Sequence, residues 1–148
     1  MVKTLRTARK VLIYPTHDKR LLAFRHPFHP EAGIQVPAGT IEDGEDPAGA
    51  AARELREETG LDGCRILGLL GERDYSWQAA EGLGRERRYF FHAAIEGPVS
   101  ETWRHYERHA SDGSGPIAFD FFWCDLRGAP PLLAWGHGDL LPVLMARL

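Results

Sequence analysis

A chain of 148 residues is long enough for one domain with a proper core and too short for two comfortable ones. Its 43% hydrophobic and 26% charged residues are ordinary for a globular protein, and a net charge of -3 argues against broad electrostatic binding to nucleic acid or anionic membrane. No apolar run reaches membrane-spanning length, the basic N-terminus lacks a secretory leader's apolar core, and Cys64 and Cys124 have no paired spacing. The expectation is one cytoplasmic domain over residues 1–148, its cysteines acting as small hydrophobes. Residues 11–14 (VLIY) and 21–24 (LLAF) are short apolar runs around Pro15 and THDKR, which predicts a strand pair. Residues 26–33 (HPFHPEAG) read as loop, and 34–36 (IQV) as a short strand running into Pro37-Ala38-Gly39.

From Asp46 the pattern turns helical. Asp46 suits an N-cap, Pro47 a first turn, and Gly60 a helix-stopping position. Ala48, Ala51, Ala52, Leu55 and Thr59 recur at helical spacing and predict a small-residue packing face. Residues 64–70 and 73–77 read as two strands with a bend at Gly71-Glu72, residues 79–84 as a turn, and 87–95 (RRYFFHAAI) as a central strand. Residues 103–108 and 117–126 predict a hairpin joined through SDGSGP. Ala129-Pro130-Pro131 breaks the chain, and 139–148 closes it as a helix that tolerates Pro142 only in its first turn. Strands on either side of a central helix, followed by a terminal helix, predict an α/β or α+β domain with helices on both faces of a mixed sheet.

Acidic residues crowd between Glu42 and Glu58. Glu54, Glu57 and Glu58 stand three and four residues apart, so a helix carries them together, and such like charges repel by about 0.2–0.5 kcal/mol per pair. A hard divalent cation reverses that sign, because carboxylate oxygens suit Mg²⁺ or Mn²⁺. The bland alternative is a solvated acidic helix face. Against it stands the whole stretch 39–61, GTIEDGEDPAGAAARELREETGL. Gly39, Glu45, Arg53, Glu54, Leu55, Glu57, Glu58, Gly60 and Leu61 fall in step with the nine defined positions of the Nudix box.

The chain therefore resembles Nudix hydrolases. That resemblance implies an α/β/α sandwich and hydrolysis of a diphosphate linkage in a nucleoside diphosphate joined to another group. ADP-ribose, a nucleotide sugar, a dinucleoside polyphosphate and an oxidised nucleoside triphosphate are the substrate classes in view. It implies Glu54, Glu57, Glu58 and the Gly39 carbonyl as ligands of two or more Mg²⁺ or Mn²⁺ ions, with a Glu45–Arg53 pair holding loop against helix. Glu57 is the first choice of general base, and Glu101, Glu107 and Asp112 are the choices outside the box. Tyr75 and Trp77 alternate along a strand and offer stacking for a base; Arg25, Arg73, Arg87 and Arg88 offer phosphate contacts. Val36-Pro37-Ala38-Gly39 resembles the entry to the box in ADP-ribose and nucleotide-sugar hydrolases. Trp77 and Ala79 stand where specificity-marking proline and tyrosine residues occur in other members, so the substrate is not marked. A non-catalytic nucleotide-sensing or partner-binding domain is the alternative, disfavoured by the intact box. An isomerase would need a cysteine in a matching context, which neither Cys64 nor Cys124 has. The partner is a small nucleotide-derived molecule, with a homodimer possible through the apolar C-terminal segment.

Overall fold

The computed structural model describes residues 6–80, 82–108 and 115–148. Its elements in chain order are β1 (Arg6–His17), β2 (Arg20–Arg25), β3 (Ala38–Thr40), α1 (Pro47–Thr59), β4 (Cys64–Ala79), β5 (Gly82–Ile95), β6 (Trp103–Glu107), β7 (Ile117–Asp125) and α2 (Leu141–Met145). The strands form a mixed sheet in the order β4-β5-β1-β2-β7-β6, with β3 paired to β1 off that path. β1 runs parallel to β5; the other pairings are antiparallel. The α/β sandwich expected from the sequence is present.

Alternation along β1 divides the core. Val11 and Ile13 face α1 with Ala50, Ala51, Leu55 and Phe91, while Leu12 and Tyr14 face α2 with Phe90, Leu140, Leu141 and Leu144. A third cluster, built on Leu22, Phe24, Phe119 and Phe121, fills the space under the end of α1 nearest β6. Tyr14 ties the two layers together. Its buried hydroxyl donates to the His137 carbonyl and accepts from the Leu140 N–H at 3.2 Å, which fixes the approach to α2. Burial pushes the phenol pKa well up, so it stays neutral.

The edge of β1 is shared. β2 pairs only at Thr16 and His17 and then leaves to join β7, while β3 takes the edge at Lys10, Val11 and Leu12. Where the two branches separate, Phe24 and Gln35 bridge them through mutual backbone hydrogen bonds of 2.9 and 3.0 Å.

Four expectations need correction. Residues 34–36 do not form a strand; the strand lies at Ala38–Thr40, running into the start of the box, because it is there that β2 has vacated the β1 edge. β4 is one strand of 16 residues, with register shifts at 66/68 and 69/71 absorbing the glycines that suggested a bend. The expected turn over 79–84 is much tighter, since β4 and β5 pair as far as Ala79 and Gly82. The buried face of α1 comprises Ala50, Ala51, Glu54, Leu55, Glu58 and Thr59, while Ala48 and Ala52 are exposed. The caps of α1 are as expected: the Asp46 side chain accepts from the Gly49 N–H at 2.8 Å, and Gly60 has φ of 73°. Pro142 sits in the first turn of α2, a helix confined to Leu141–Met145. The β6–β7 hairpin pairs as expected, and most of its SDGSGP connection lies outside the described residues.

Candidate active site

Rotation of α1 relative to the expected packing face has a direct chemical consequence. Glu54 and Glu58 lie on the sheet side and are buried, at 8% and 4% exposure, whereas Glu57 faces solvent. Burial pushes the Glu54 carboxyl up to about 7, opposed by its hydrogen bond and charge attraction to Arg53. Burial and the neighbouring Glu54 and Glu107 charges push Glu58 well above the usual carboxylate range. β6 brings Glu107 to the same place: one oxygen each from Glu54, Glu57 and Glu107 lie within 4.8 Å of one another.

Arg53 organises the cluster. Its Nε and Nη2 donate to the two Glu45 oxygens at 2.8 and 2.9 Å, a bidentate pair that ties loop 40–45 to α1. Nη2 also donates to the Thr40 carbonyl at 3.0 Å, and Nη1 to Glu54 at 2.9 Å and Glu57 at 3.3 Å. Hydrogen bonding to Arg53 holds the Glu45 carboxyl down to about 2.

The need for glycine at 39 is spatial. Gly39 lies in β3 outside the left-handed region, and a Cβ there would meet the Glu54 carboxyl carbon at 2.0 Å. The register of β3 decides which of its carbonyls turn toward α1. Ile13 N–H donates to the Pro37 carbonyl and Ile41 N–H to the Arg9 carbonyl, both at 2.9 Å. Antiparallel alternation then turns the Gly39 peptide groups toward Val11, and those of Ala38 and Thr40 outward toward α1. Accordingly, Ala38 N–H donates to Glu58 at 3.3 Å. The carbonyl facing the carboxylates from this strand is that of Ala38, one residue before Gly39.

The remaining expected residues separate into groups. Arg88 is buried, with its guanidinium 3.7 Å over the Tyr75 ring, Nε donating to Glu86 at 2.9 Å and Nη1 donating to the Trp135 carbonyl. It lines a cavity of about 130 Å³ with Lys10, Leu12, Ala38, Gly39, Glu86 and His137, directly behind β3. Trp77 shares the face of Tyr75 as expected but lies across Gly84, whose Cβ would meet the indole at 2.1 Å. Arg25 stacks over Phe122 at 4.3 Å, on the face of β2 opposite the α1-facing Phe24. Arg87 is engaged by Glu72 and Asp74, and exposed Arg73 donates to the Glu72 carbonyl. Glu101 pairs with Arg20 at 3.0 Å, at the far end of β6 from Glu107. Asp112 lies outside the described residues.

Several contributors were not assigned to this site from the sequence. His137 is buried, and its Nδ1 accepts from the Val36 N–H at 3.1 Å just before β3. Burial, with the Arg88 charge adding, holds its pKa down to about 3, so the ring is neutral and fixed in one tautomer. Trp103 and His105 contact the last turn of α1, donating from the indole to the Thr59 carbonyl at 3.0 Å and from Nε2 to the Glu57 carbonyl at 2.9 Å. Alternation with Glu107 was the available signal for both.

The donor set fits a hard divalent cation. It consists of carboxylates and an outward carbonyl, two of the acids are buried side by side, and a single guanidinium does not neutralise them. Comparison with known proteins agrees with this geometry. The family model described as NUDIX domain matches residues 4–144, and the chain belongs to that family. It is similar to Nudix hydrolase 25 of Arabidopsis thaliana, 61% identical over 69 residues, covering 47% of this chain and 32% of that protein. It is also similar to diphosphoinositol polyphosphate phosphohydrolase 2 of Rattus norvegicus, 34% identical over 93 residues, covering 51% of this chain and 50% of that protein. The chain thus spans between a third and half the length of the curated relatives it matches. A solved MutT protein from Methanosarcina mazei Go1 shares the fold, with a TM-score of 0.64, 15% identity and 96% of both chains covered. No helix among the described residues is long and apolar enough to cross a membrane.

Proposed function

We propose that this protein is a divalent-metal-dependent pyrophosphohydrolase that cleaves a diphosphate linkage in a small nucleotide derivative in the cytoplasm. The observation that carries the reading is the convergence of Glu54, Glu57 and Glu107 within 4.8 Å, beside buried Glu58, on a complete Nudix box. Glu54, Glu57, Glu58, Glu107 and the Ala38 carbonyl would hold two or more Mg²⁺ or Mn²⁺ ions. Ions bound there supply charge for the diphosphate oxygens and a lower pKa for water.

The protein's own part is orientation and proton transfer. Glu57 is the general base in this reading: it is the exposed glutamate of the box, and Arg53 steers its carboxylate at 3.3 Å. Arg53 and Glu45 keep loop and helix in register. Arg88, held on Tyr75 behind β3, orients a phosphate or sugar oxygen of the substrate. This reading gives Arg25, Trp77 and Glu101 no role: Arg25 stacks on Phe122, Trp77 lies across Gly84 and Glu101 pairs with Arg20.

A panel of ADP-ribose, nucleotide sugars, dinucleoside polyphosphates, oxidised nucleoside triphosphates and a diphosphoinositol polyphosphate, with Mg²⁺ and Mn²⁺, tests the reading. Diphosphoinositol polyphosphate joins the panel because one relative is named for it. Turnover of at least one substrate is expected, with Glu57→Gln about 10²–10⁴-fold slower while still folded. Normal Mn²⁺ binding with no turnover on any member would move the function to nucleotide sensing. Full activity in both Glu57→Gln and Glu58→Gln would sink the assignment of the site.

A further inference from the structure

The edge strand β6 is five residues long, and its burial alternates: Trp103, His105 and Glu107 are half-buried, Arg104 and Tyr106 exposed. The three inward residues all meet the carboxyl end of α1. A helix leaves its last four carbonyls without intrahelical donors. Here Arg56 O accepts the Gly60 N–H at 2.9 Å, Glu57 O accepts the His105 ring at 2.9 Å, and Thr59 O accepts the Trp103 indole at 3.0 Å. Glu107, two residues beyond His105, then enters the Glu54–Glu57 cluster.

The contact is close-fitting. Trp103 stacks on Phe121 at 5.1 Å and 18°, which orients its N–H. The His105 ring occupies the space beside Gly60, where a Cβ would lie 2.7 Å from Nδ1. Gly60 is therefore required twice, for its left-handed φ and for room to admit His105. His105 also binds the backbone of Glu57 itself, so one imidazole touches the peptide of one cluster residue and sits on the strand of another.

We infer that Trp103 and His105 are positioning residues: they dock β6 on the end of α1 and so set Glu107 against Glu54 and Glu57. The inference rests on the metal-dependent reading above. Glu107 enters the cluster from a different element than the box, so its distance to Glu54 and Glu57 depends on how two surfaces mate. Sequence-local geometry along α1 fixes only the three box glutamates.

The test is Mn²⁺ affinity, followed by the electron paramagnetic resonance signal of free Mn²⁺, together with kcat and KM on whichever panel substrate turns over. The variants are His105→Ala, His105→Gln (which keeps an N–H at similar reach), Trp103→Phe, Glu107→Gln and the double variant His105→Ala/Glu107→Gln. Supporting partners of metal ligands typically contribute about 10–100-fold in affinity or rate. His105→Ala should weaken Mn²⁺ binding by about tenfold or more and lower kcat with little change in KM. His105→Gln should recover most of both. Because His105 acts through Glu107, the double variant should be little worse than Glu107→Gln alone. Unchanged Mn²⁺ affinity in His105→Ala, or effects that multiply in the double variant, would overturn the inference alone. Absence of Mn²⁺ binding by the unmodified protein would overturn the metal reading and this inference with it. If His105→Ala does not fold, His105→Gln and Trp103→Phe decide: near-normal affinity is expected in the first and a severalfold loss in the second, and the reverse order refutes the docking role.

Discussion

Raising the pH from 6 to 8 should tighten Mn²⁺ binding by about tenfold or more. Glu54 half-titrates at about 7 because it is buried beside other acids. Its ionised fraction is therefore roughly a tenth at pH 6 and roughly nine-tenths at pH 8, and a cation competes with that proton. Glu58 is raised in the same direction, so tenfold is a lower figure. The same shift bears on stability with the opposite sign. In the metal-free fold Glu54 keeps a proton up to about pH 7 that the unfolded chain releases from about 4.5, so metal-free stability falls as pH rises through that window, by about 3 kcal/mol at most. His137 slopes the other way, since its fold-held pKa of about 3 makes folding weaken as pH drops below about 6.5. Glu54→Gln removes one effect and leaves the other. Metal-free Glu54→Gln should gain stability over the unmodified protein between pH 5 and pH 8, read by urea denaturation. Mn²⁺ titrations at pH 6, 7 and 8 should show a shallower pH dependence in the variant. A flat affinity in the unmodified protein, or a stability gap that does not grow with pH, would refute the argument.

Gly39→Ala should remain folded but lose metal affinity and at least about tenfold in rate, because its Cβ would displace the Glu54 carboxylate from 2.0 Å away; near-normal turnover would show that Glu54 has room to yield. Tyr14→Phe leaves the Leu140 N–H and the His137 carbonyl without their buried partner, costing about 1–3 kcal/mol in chemical denaturation. Arg53→Lys cannot reproduce the fork on Glu45 together with the Thr40, Glu54 and Glu57 contacts. It should become more protease-sensitive in loop 40–45 and lose at least about tenfold in kcat; a change confined to KM would indicate a direct substrate contact instead.

Local rules recovered α1 and its caps because Asp46, Pro47 and Gly60 act through their own backbone or within one turn. They placed the buried face only in part. Of the expected Ala48, Ala51, Ala52, Leu55 and Thr59, the structure buries Ala51, Leu55 and Thr59 and exposes Ala48 and Ala52, because α1 is held by Arg53 reaching back to Glu45 and Thr40 and by β6 beneath its end. That placement carries Glu54 and Glu58 inward, to the sheet side of the helix. The β-strands show the same division. Apolar runs located β1, β2 and β7, but nothing local reveals that β2 abandons β1 early, which is what lets Ala38 and the box residues Gly39 and Thr40 pair as β3.

The acidic helix, its glycines and the chemistry they favour were determined by the sequence itself, because residue type and spacing along one helix are properties of the chain. Tertiary structure alone decided the rest. It brought Glu107, and not Glu101, beside Glu54 and Glu57, by the β6–β7 register that sets Glu107 opposite Ile117 and by the contacts of Trp103 and His105 with α1. It turned the Ala38 carbonyl rather than that of Gly39 toward the carboxylates, by the parity of a pairing with distant β1 that sets Val11 opposite Gly39 and Leu12 opposite Ala38. It also separated Arg88 and Tyr75, which gather behind β3, from Arg25 and Trp77, which do not. Pairing register and packing join residues far apart in the chain, and no pattern within a single segment contains that information.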